Sequence, residues 1–257
     1  VGPYTLGSVK SYGENVTDAQ GNRLYDKNAE GMITGACGQA HADGLDFSPY
    51  DWDDDGFVEM VYVVYAGEGE ATGGGAETIW PHKSQLPTNP RYGNKRVSIY
   101  ACSNEVNGGN KLAGIGTICH EFSHCMGYPD VYDIEYGGNY GMGTWDLMCS
   151  GSYNGDTYCP AGYTAYEKMV AGWINPVELT ENASYSDIKT TADGGDAYIF
   201  YHPENKDEYF LIENRQRKGW DKYIAAGGIL VNHITYDKTV WDYNMPNTFH
   251  KGINDIE

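Results

Sequence analysis

Basic residues are scarce in this sequence. It holds 17 Lys and Arg against 36 Asp and Glu, which gives a formal net charge of −19. Such an acidic surface repels phosphate groups, so the composition argues against a nucleic-acid partner and against a basic membrane-surface protein. Long hydrophobic runs are lacking too. The longest apolar run, residues 60–66, is far shorter than the ~18 residues of a membrane helix, so the sequence predicts no membrane span.

Cysteine is also sparse, with six in 257 residues, and this excludes a small disulfide-dense domain. Cys149 and Cys159 are close enough in sequence for a local disulfide, and Cys102 could pair with Cys119. Cys119 and Cys125 should not pair, because six helical residues separate them by about 9 Å. Few Lys, 23 Tyr against 6 Phe, and 34 Gly favour an exported protein.

The chain is long enough for one large domain, or for a medium domain with a smaller companion. Hydrophobic periodicity predicts a mixture of helices and strands, with a boundary near residue 176, after which the pattern becomes β-rich. We expect helices within residues 32–42, 113–126 and 163–172, and strands within residues 57–67, 96–102, 197–201, 209–212 and 228–234.

A metal-binding pattern lies in the second predicted helix. His120 and His124 stand one turn apart, about 6 Å along the axis and about 40° around it, so both imidazoles can reach one ion. Glu121 lies beside them, within reach of a water on that ion. Gly127 can end the helix in the left-handed conformation, and Asp130 follows ten residues after His120. Two His and one carboxylate predict a catalytic zinc site.

The third zinc ligand has a rival. Glu167, on the third predicted helix, could serve instead of Asp130, as in enzymes that use two His and a distant Glu. We prefer Asp130 because of its spacing after Gly127. Met148 follows in Trp145-Asp146-Leu147-Met148 and could form the Met turn that lies beneath a zinc ion. The alternative for the two His and the adjacent Glu is a salt-bridged helix face, and Met148 taken alone would be ordinary core.

An acidic loop precedes the first predicted long strand. Asp51, Asp53, Asp55 and Glu59 occupy loop positions one, three, five and nine, with Gly56 at six, as in the first half of an EF-hand. Position twelve is Tyr62, so the loop is not an EF-hand. A shortened calcium loop that leads into a strand fits better, and a solvated acidic turn is the alternative.

Taken together, these residues resemble the immune inhibitor A family of secreted bacterial zinc metallopeptidases. The family signature H-E-x-x-H-x-x-G-x-x-D and its Met turn are matched by His120, Glu121, His124, Gly127, Asp130 and Met148. The resemblance implies Asp130 as the third ligand and a structural role for Glu167. It also implies an α+β fold: a metzincin-like catalytic domain over 1–175, with a mixed twisted sheet and an active-site helix, then a β-rich, sandwich-like domain over 176–257.

From the resemblance we expect a secreted zinc endopeptidase that cleaves protein or peptide substrates and holds one catalytic zinc ion. We also expect a structural calcium ion at the acidic loop, and a monomeric protein. We further expect a signal peptide and propeptide upstream, and β domains downstream that would complete the sandwich. Glu121 would act as general base toward a metal-activated water. Tyr153 is our candidate to stabilise the oxyanion, with Tyr163 and Tyr166 as alternatives. The strand over 97–102 could be a sheet edge that pairs with substrate.

The sequence is also compatible with two other functions. A family member could keep the zinc helix and act as an inactive or latent binding or adhesion module, although Glu121 argues against this because binding alone needs no base. The many Tyr and Trp residues would also suit a calcium-stabilised carbohydrate-binding protein. Inhibition by phenanthroline would favour the peptidase, and stabilisation by sugars would favour the carbohydrate-binding protein.

Overall fold

The computed structural model describes residues 1–109, 111–248 and 255–257. Packing divides the chain into two units, Val1–Ala113 and Gly114–Glu257. Each unit contains both helices and strands, which confirms a mixed α/β chain with several sheets. The predicted domain boundary near residue 176 differs from this division and stays a prediction about domain organisation.

The elements follow the predicted order. The α-helices in the described ranges are α1 (Val9–Gly13), α2 (Ala29–Ala42), α3 (Gly116–Cys125), α4 (Ala165–Val170) and α5 (Lys238–Asp242). The strands of the first unit are β1 (Asn15–Thr17), β2 (Arg23–Asp26), β3 (Phe57–Val58), β4 (Val61–Glu68), β5 (His82–Gln85), β6 (Arg91–Tyr92), β7 (Lys95–Val97), β8 (Ile99–Asn107) and β9 (Lys111–Leu112). Those of the second are β10 (Val177–Glu178), β11 (Tyr198–Tyr201), β12 (Glu208–Arg215) and β13 (Gly228–Thr235). None of the described helices combines the length and apolarity needed to cross a bilayer.

The main sheet of the first unit has β8 at its centre. β4 runs parallel to β8, with Val63 opposite Cys102, and β5 runs antiparallel on the other side, with His82 opposite the same residue. The expectation that the strand over 97–102 forms a sheet edge is therefore wrong, because residues 99–102 pair with strands on both sides. The alternating sequence predicted a strand there, but alternation carries no information about neighbours.

Helix α2 supplies one wall of the first hydrophobic core. Met32, Ile33 and Cys37 are buried on the helix and pack in one cluster with Val97 and Tyr100 of the sheet strands. Burying a side chain such as Ile33 contributes about 1.5–3 kcal/mol, so this face holds the helix to the unit.

The second unit is built on the sheet β10-β11-β12-β13, in which β10 and β11 are parallel and the rest antiparallel. Its core joins Met148 and Tyr166 to Ile199, Leu211 and Ile234 of the sheet. Residues from both sides of position 176 therefore share one core. This is the one sheet that the described residues of the second unit form, so the predicted sandwich stays a prediction.

All six cysteines are free, so neither pairing that the sequence allowed, Cys149 with Cys159 or Cys102 with Cys119, is present. The Cys149 thiol donates to the Tyr140 carbonyl at 3.1 Å, whereas the Cys159 thiol lies 3.5 Å from the Gly219 carbonyl. Nearness in sequence did not bring these two sulfur atoms together, because the turns between them direct each thiol to a different backbone segment.

Two glycines of the first unit should respond oppositely to the same substitution. At Gly13, an added Cβ would lie 2.4 Å from the Thr78 carbonyl carbon, whereas at Gly38, inside α2, no atom lies within 4 Å. Gly38→Ala should raise the free energy of unfolding by about 1 kcal/mol through helix propensity. Gly13→Ala should lower it by about 1–3 kcal/mol through overpacking. Urea denaturation of both variants checks this, and a Gly13→Ala protein as stable as the parent would contradict the close packing.

Candidate metal centre

Helix α3 begins where glycine allows a close backbone approach. A Cβ at Gly116 would lie 1.8 Å from the Ser152 carbonyl oxygen, and the Gly116 N–H donates to the Thr157 carbonyl at 2.8 Å. The helix ends at Cys125, and Gly127 follows with a φ of 96°, as its place in the sequence predicts. The chain then turns so that Asp130 returns toward the helix.

The three predicted zinc ligands converge. The Nε2 atoms of His120 and His124 lie 3.1 Å and 3.3 Å from Oδ1 of Asp130. The two imidazole rings meet edge to face, with centroids 4.7 Å apart. One ligand atom from each of the three residues lies within 4.8 Å of the others. An ion placed among them could contact all three.

The hydrogen bonds around these side chains leave acceptors facing acceptors. Nδ1 of His120 donates to the Leu147 carbonyl at 2.9 Å, and Nδ1 of His124 donates to the Tyr128 carbonyl at 2.7 Å. Carbonyl oxygens only accept, so both Nδ1 atoms carry a proton, and in a neutral ring the Nε2 atom presents a lone pair. Oδ1 of Asp130 is buried and faces both Nε2 atoms, so a proton or a metal cation must lie between these groups. The donor set therefore fits a metal cation.

The electrostatics of the site favour positive charge. Burial alone would lower the pKa of His120, but the hydrogen bond and charge of Asp130, together with the Glu121 carboxylate, raise it to about 9. Burial alone would raise the pKa of Asp130, but the two imidazoles hold it well below its usual value. Two carboxylates thus create a strongly negative potential where the imidazoles meet.

The predicted catalytic residues lie around this point. Glu121 is buried on α3, directly after the first His ligand. Tyr153 is 56% exposed as a whole, but desolvation of its hydroxyl raises its pKa, with further contributions from Tyr136, Glu121 and Asp130. The phenol of Tyr153 is therefore close enough to both carboxylates to sense their charge.

The alternative residues have other partners. Oε2 of Glu167 accepts hydrogen bonds from the N–H and the hydroxyl of Thr164, which form a capping box at the start of α4. Tyr163 shares a hydrogen bond of 2.6 Å with the Ser123 hydroxyl. Tyr166 is buried in the core of the second unit. These contacts suit structural roles, and Asp130 and Tyr153 remain our predictions for the site.

The Met148 segment forms a tight turn. The Cys149 N–H donates to the Asp146 carbonyl at 3.2 Å, and Met148 itself is buried in the core. The contact of this turn with a proposed ligand comes from the Leu147 carbonyl, which accepts the hydrogen bond from Nδ1 of His120. Sequence reasoning singled out the Met side chain and missed this carbonyl, since a backbone acceptor leaves no mark in the residue pattern.

One carboxylate of the acidic loop in the first unit is paired with a lysine side chain. Asp51, Asp53 and Glu59 bring one oxygen each within 4.8 Å of the others, and Asp55 is not part of that group. Lys95 lies 2.5 Å from Oδ2 of Asp51, and this hydrogen bond lowers the pKa of the carboxyl. Calcium binding stays a prediction, and the role of Lys95 was not foreseen.

Comparison with known proteins gives the family. The profile described as immune inhibitor A peptidase M6, catalytic domain, matches residues 10–174, more than half of the chain. The chain belongs to this family. It is 24% identical over 208 residues to immune inhibitor A of Bacillus thuringiensis subsp. alesti, covering 67% of this chain and 30% of that protein. It is 27% identical over 192 residues to the pre-pro-metalloprotease PrtV of Vibrio cholerae serotype O1 (strain M66-2), covering 61% and 21%. The chain spans less than a third of the length of these relatives.

A buried acidic pair supports the Met148 turn. Oδ1 of Asp146 accepts from the Met148 N–H at 2.6 Å. Burial, then the charge and hydrogen bonding of Glu167, raise the pKa of Asp146 well above its usual value. The Asp146 carboxyl therefore retains a proton that it would lose in water.

Asp146→Asn should make stability less dependent on pH. The folded protein keeps a proton that an unfolded Asp loses near pH 4, so folding stability falls as pH rises between the unfolded and folded pKa values. Asn keeps the acceptor for Met148 and donates to Glu167 at every pH. The variant should gain stability relative to the parent as the pH rises above about 5 in chelator-containing urea titrations. Asp187→Asn, at an exposed site, is the control, and a constant difference between parent and Asp146→Asn would contradict the retained proton.

Proposed function

We propose that this chain is the catalytic part of a secreted zinc endopeptidase that hydrolyses peptide bonds of extracellular proteins. The observation that carries the proposal is the convergence of His120, His124 and Asp130, whose lone pairs need a proton or a metal cation between them, beside the buried carboxylate of Glu121. Membership of a peptidase family supports it, as do relatives whose names describe a metalloprotease and an immune inhibitor.

Zinc suits this donor set. Two imidazole nitrogens and one carboxylate oxygen are typical ligands of catalytic zinc, which keeps a further position open. Zinc, when bound, supplies Lewis acidity toward a peptide carbonyl and makes a water acidic enough to act as a nucleophile near neutral pH. The residues that would hold it are His120, His124 and Asp130.

Glu121 is the group that we assign to proton transfer. Its carboxylate follows His120 on the same helix and is buried, so it can accept a proton from the attacking water without competition from bulk solvent. The same carboxyl can then donate that proton to the nitrogen that leaves when the peptide bond breaks. A general base of this kind accelerates hydrolysis by about 10²–10⁴-fold.

Tyr153 is assigned to the carbonyl oxygen of the substrate. A tyrosine phenol is protonated at neutral pH, so the Tyr153 hydroxyl can donate a hydrogen bond as the oxygen gains negative charge. The fractional exposure of its ring leaves it accessible to an incoming peptide.

The remaining assignments rest on composition and on the relatives. Secretion is supported by the Tyr- and Gly-rich composition, and one relative is named a pre-pro-metalloprotease. A calcium ion at Asp51, Asp53 and Glu59 would compete with Lys95 for Asp51. We also propose that the protein acts as a monomer and binds no nucleic acid.

Glu121→Gln should separate metal binding from catalysis. The amide keeps the size of the side chain and cannot accept the proton, so zinc content should stay at one ion per chain while kcat on casein falls about 10²–10⁴-fold. Phenanthroline should abolish cleavage by the parent protein. Glu181→Gln, at an exposed site, is the matched control. Cleavage by Glu121→Gln at the parental rate would contradict the role of the base, and a zinc-loaded parent that cleaves nothing would favour the latent binding module.

Tyr153→Phe should lower kcat with little change in zinc content. Removal of one donor to the developing oxyanion costs about 10²-fold in kcat, and the ring that remains keeps its packing. Steady-state kinetics on a fluorogenic peptide measures this, with the exposed Tyr185→Phe as control. Unchanged kcat in the Tyr153 variant would show that another group supplies the donor.

A further inference from the structure

Asp130 is held by a side chain that comes from far along the chain. Its backbone N–H donates to Oδ1 of Asn244 at 2.6 Å, and Nδ2 of Asn244 donates to Oδ2 of Asp130 at 2.8 Å. The two His ligands, in contrast, are held by the backbone carbonyls of Leu147 and Tyr128. Of the three proposed ligands, Asp130 is therefore the one that another side chain orients.

The chemistry of Asn244 suits this task. An amide offers a donor and an acceptor side by side, so it can bond both the N–H and the carboxylate of the same residue. Asn244 has a φ of 59°, a left-handed conformation that Asn adopts more readily than most residues. It follows α5, and its own N–H donates to the Trp241 carbonyl at 3.1 Å. Helix and backbone thus fix the amide in place.

The segment after Asn244 holds the chain that follows Asp130. Nδ2 of Asn247 donates to the Val131 carbonyl at 2.9 Å, and the Thr248 hydroxyl accepts from the Ile134 N–H at 3.2 Å. Asn247 is fully buried. Residues 244–248 therefore contact the ligand-bearing loop at several successive positions, which limits its freedom to swing away from the two His rings.

These contacts give the two carboxylate oxygens of Asp130 different partners. Oδ2 is occupied by the Asn244 amide, whereas Oδ1 faces both Nε2 atoms. A carboxylate held in this way can offer one oxygen to a metal ion. If the amide were lost, the carboxylate could rotate, and the ion would have to restrict that rotation when it binds.

We propose that Asn244 is a positioning residue that fixes Asp130 as a one-oxygen ligand of the metal ion. The proposal rests on the proposed function, in that it assumes a metal at this site. It extends the site beyond residues 10–174, the part that matches the peptidase profile. Groups that orient metal ligands typically change metal affinity by about 10–100-fold when they are removed.

Asn244→Gly in the full chain tests the proposal. Gly removes both hydrogen bonds and accepts the left-handed φ without strain, so the backbone can stay as it is. Zinc affinity, measured by competition with a chromophoric chelator, should fall about 10–100-fold, and the absorption spectrum of the Co²⁺-loaded protein should change. Asn89→Gly, the same substitution at an Asn with a φ of 44° in the first unit, should leave both unchanged. Equal zinc affinity in the Asn244 variant and the parent would overturn the proposal.

A double-mutant cycle with Asp130→Ala separates positioning from general destabilisation. If Asn244 acts through Asp130, then Asn244→Gly should have no further effect on the weaker zinc binding that the two His residues retain in the Asp130→Ala protein. An equal fold-loss in both backgrounds would overturn the positioning role and assign Asn244 to general packing.

Folding and the underlying function are checked in the same experiment. Thermal unfolding in excess chelator should show that Asn244→Gly still folds, with a transition below that of the parent because two hydrogen bonds are lost. If the Gly variant does not fold, Asn244→Asp replaces it, because Asp keeps the size, the tolerance of this φ and the acceptor for the Asp130 N–H. That variant should lose less zinc affinity than expected for Gly, and no loss would overturn the role of the Nδ2 donor. A parent that binds no zinc would overturn the proposed function itself.

Discussion

Two imidazole nitrogens and a carboxylate oxygen face one another in this protein with only acceptor lone pairs between them. The arrangement is unfavourable without a proton or a metal cation, and its geometry is imposed by the groups behind it: the carbonyls of Leu147 and Tyr128 and the amide of Asn244. Each of these supports directs a lone pair toward the same point. Because metal binding relieves the repulsion, affinity for the ion and stability of the surrounding loops should be linked.

The supports differ in how far along the chain they lie. Tyr128 is four residues from His124 and is delivered by the end of the helix itself, whereas Leu147 is 27 residues from its His120 and Asn244 is 114 residues from Asp130. The sequence motif therefore specifies the proposed ligands, and the tertiary fold of the second unit specifies their orientation. Precise orientation matters because a misdirected ligand must lose rotational freedom when the ion binds.

Local patterns predicted the local features. The spacing of His120 and His124 on a helix, the left-handed Gly127 and the return of Asp130 all follow from rules that operate within a few residues, and the structure brings the three ligands together. The strand neighbours, the free cysteines and the Lys95 that reaches Asp51 could not be predicted in this way, because they depend on long-range pairing. A single sequence carries little information on such contacts.

The change in composition near residue 176 illustrates the same limit. It precedes the four strands of the second unit, but Met148 and Tyr166 before it pack with Leu211 and Ile234 after it. The Met148 turn therefore packs against this sheet. Asn244 lies beyond the same point, so a chain that ended at residue 175 would retain the whole zinc motif and lose the amide that orients Asp130. The proposed metal site is therefore larger than its motif, because it includes the residues that hold the proposed ligands in place.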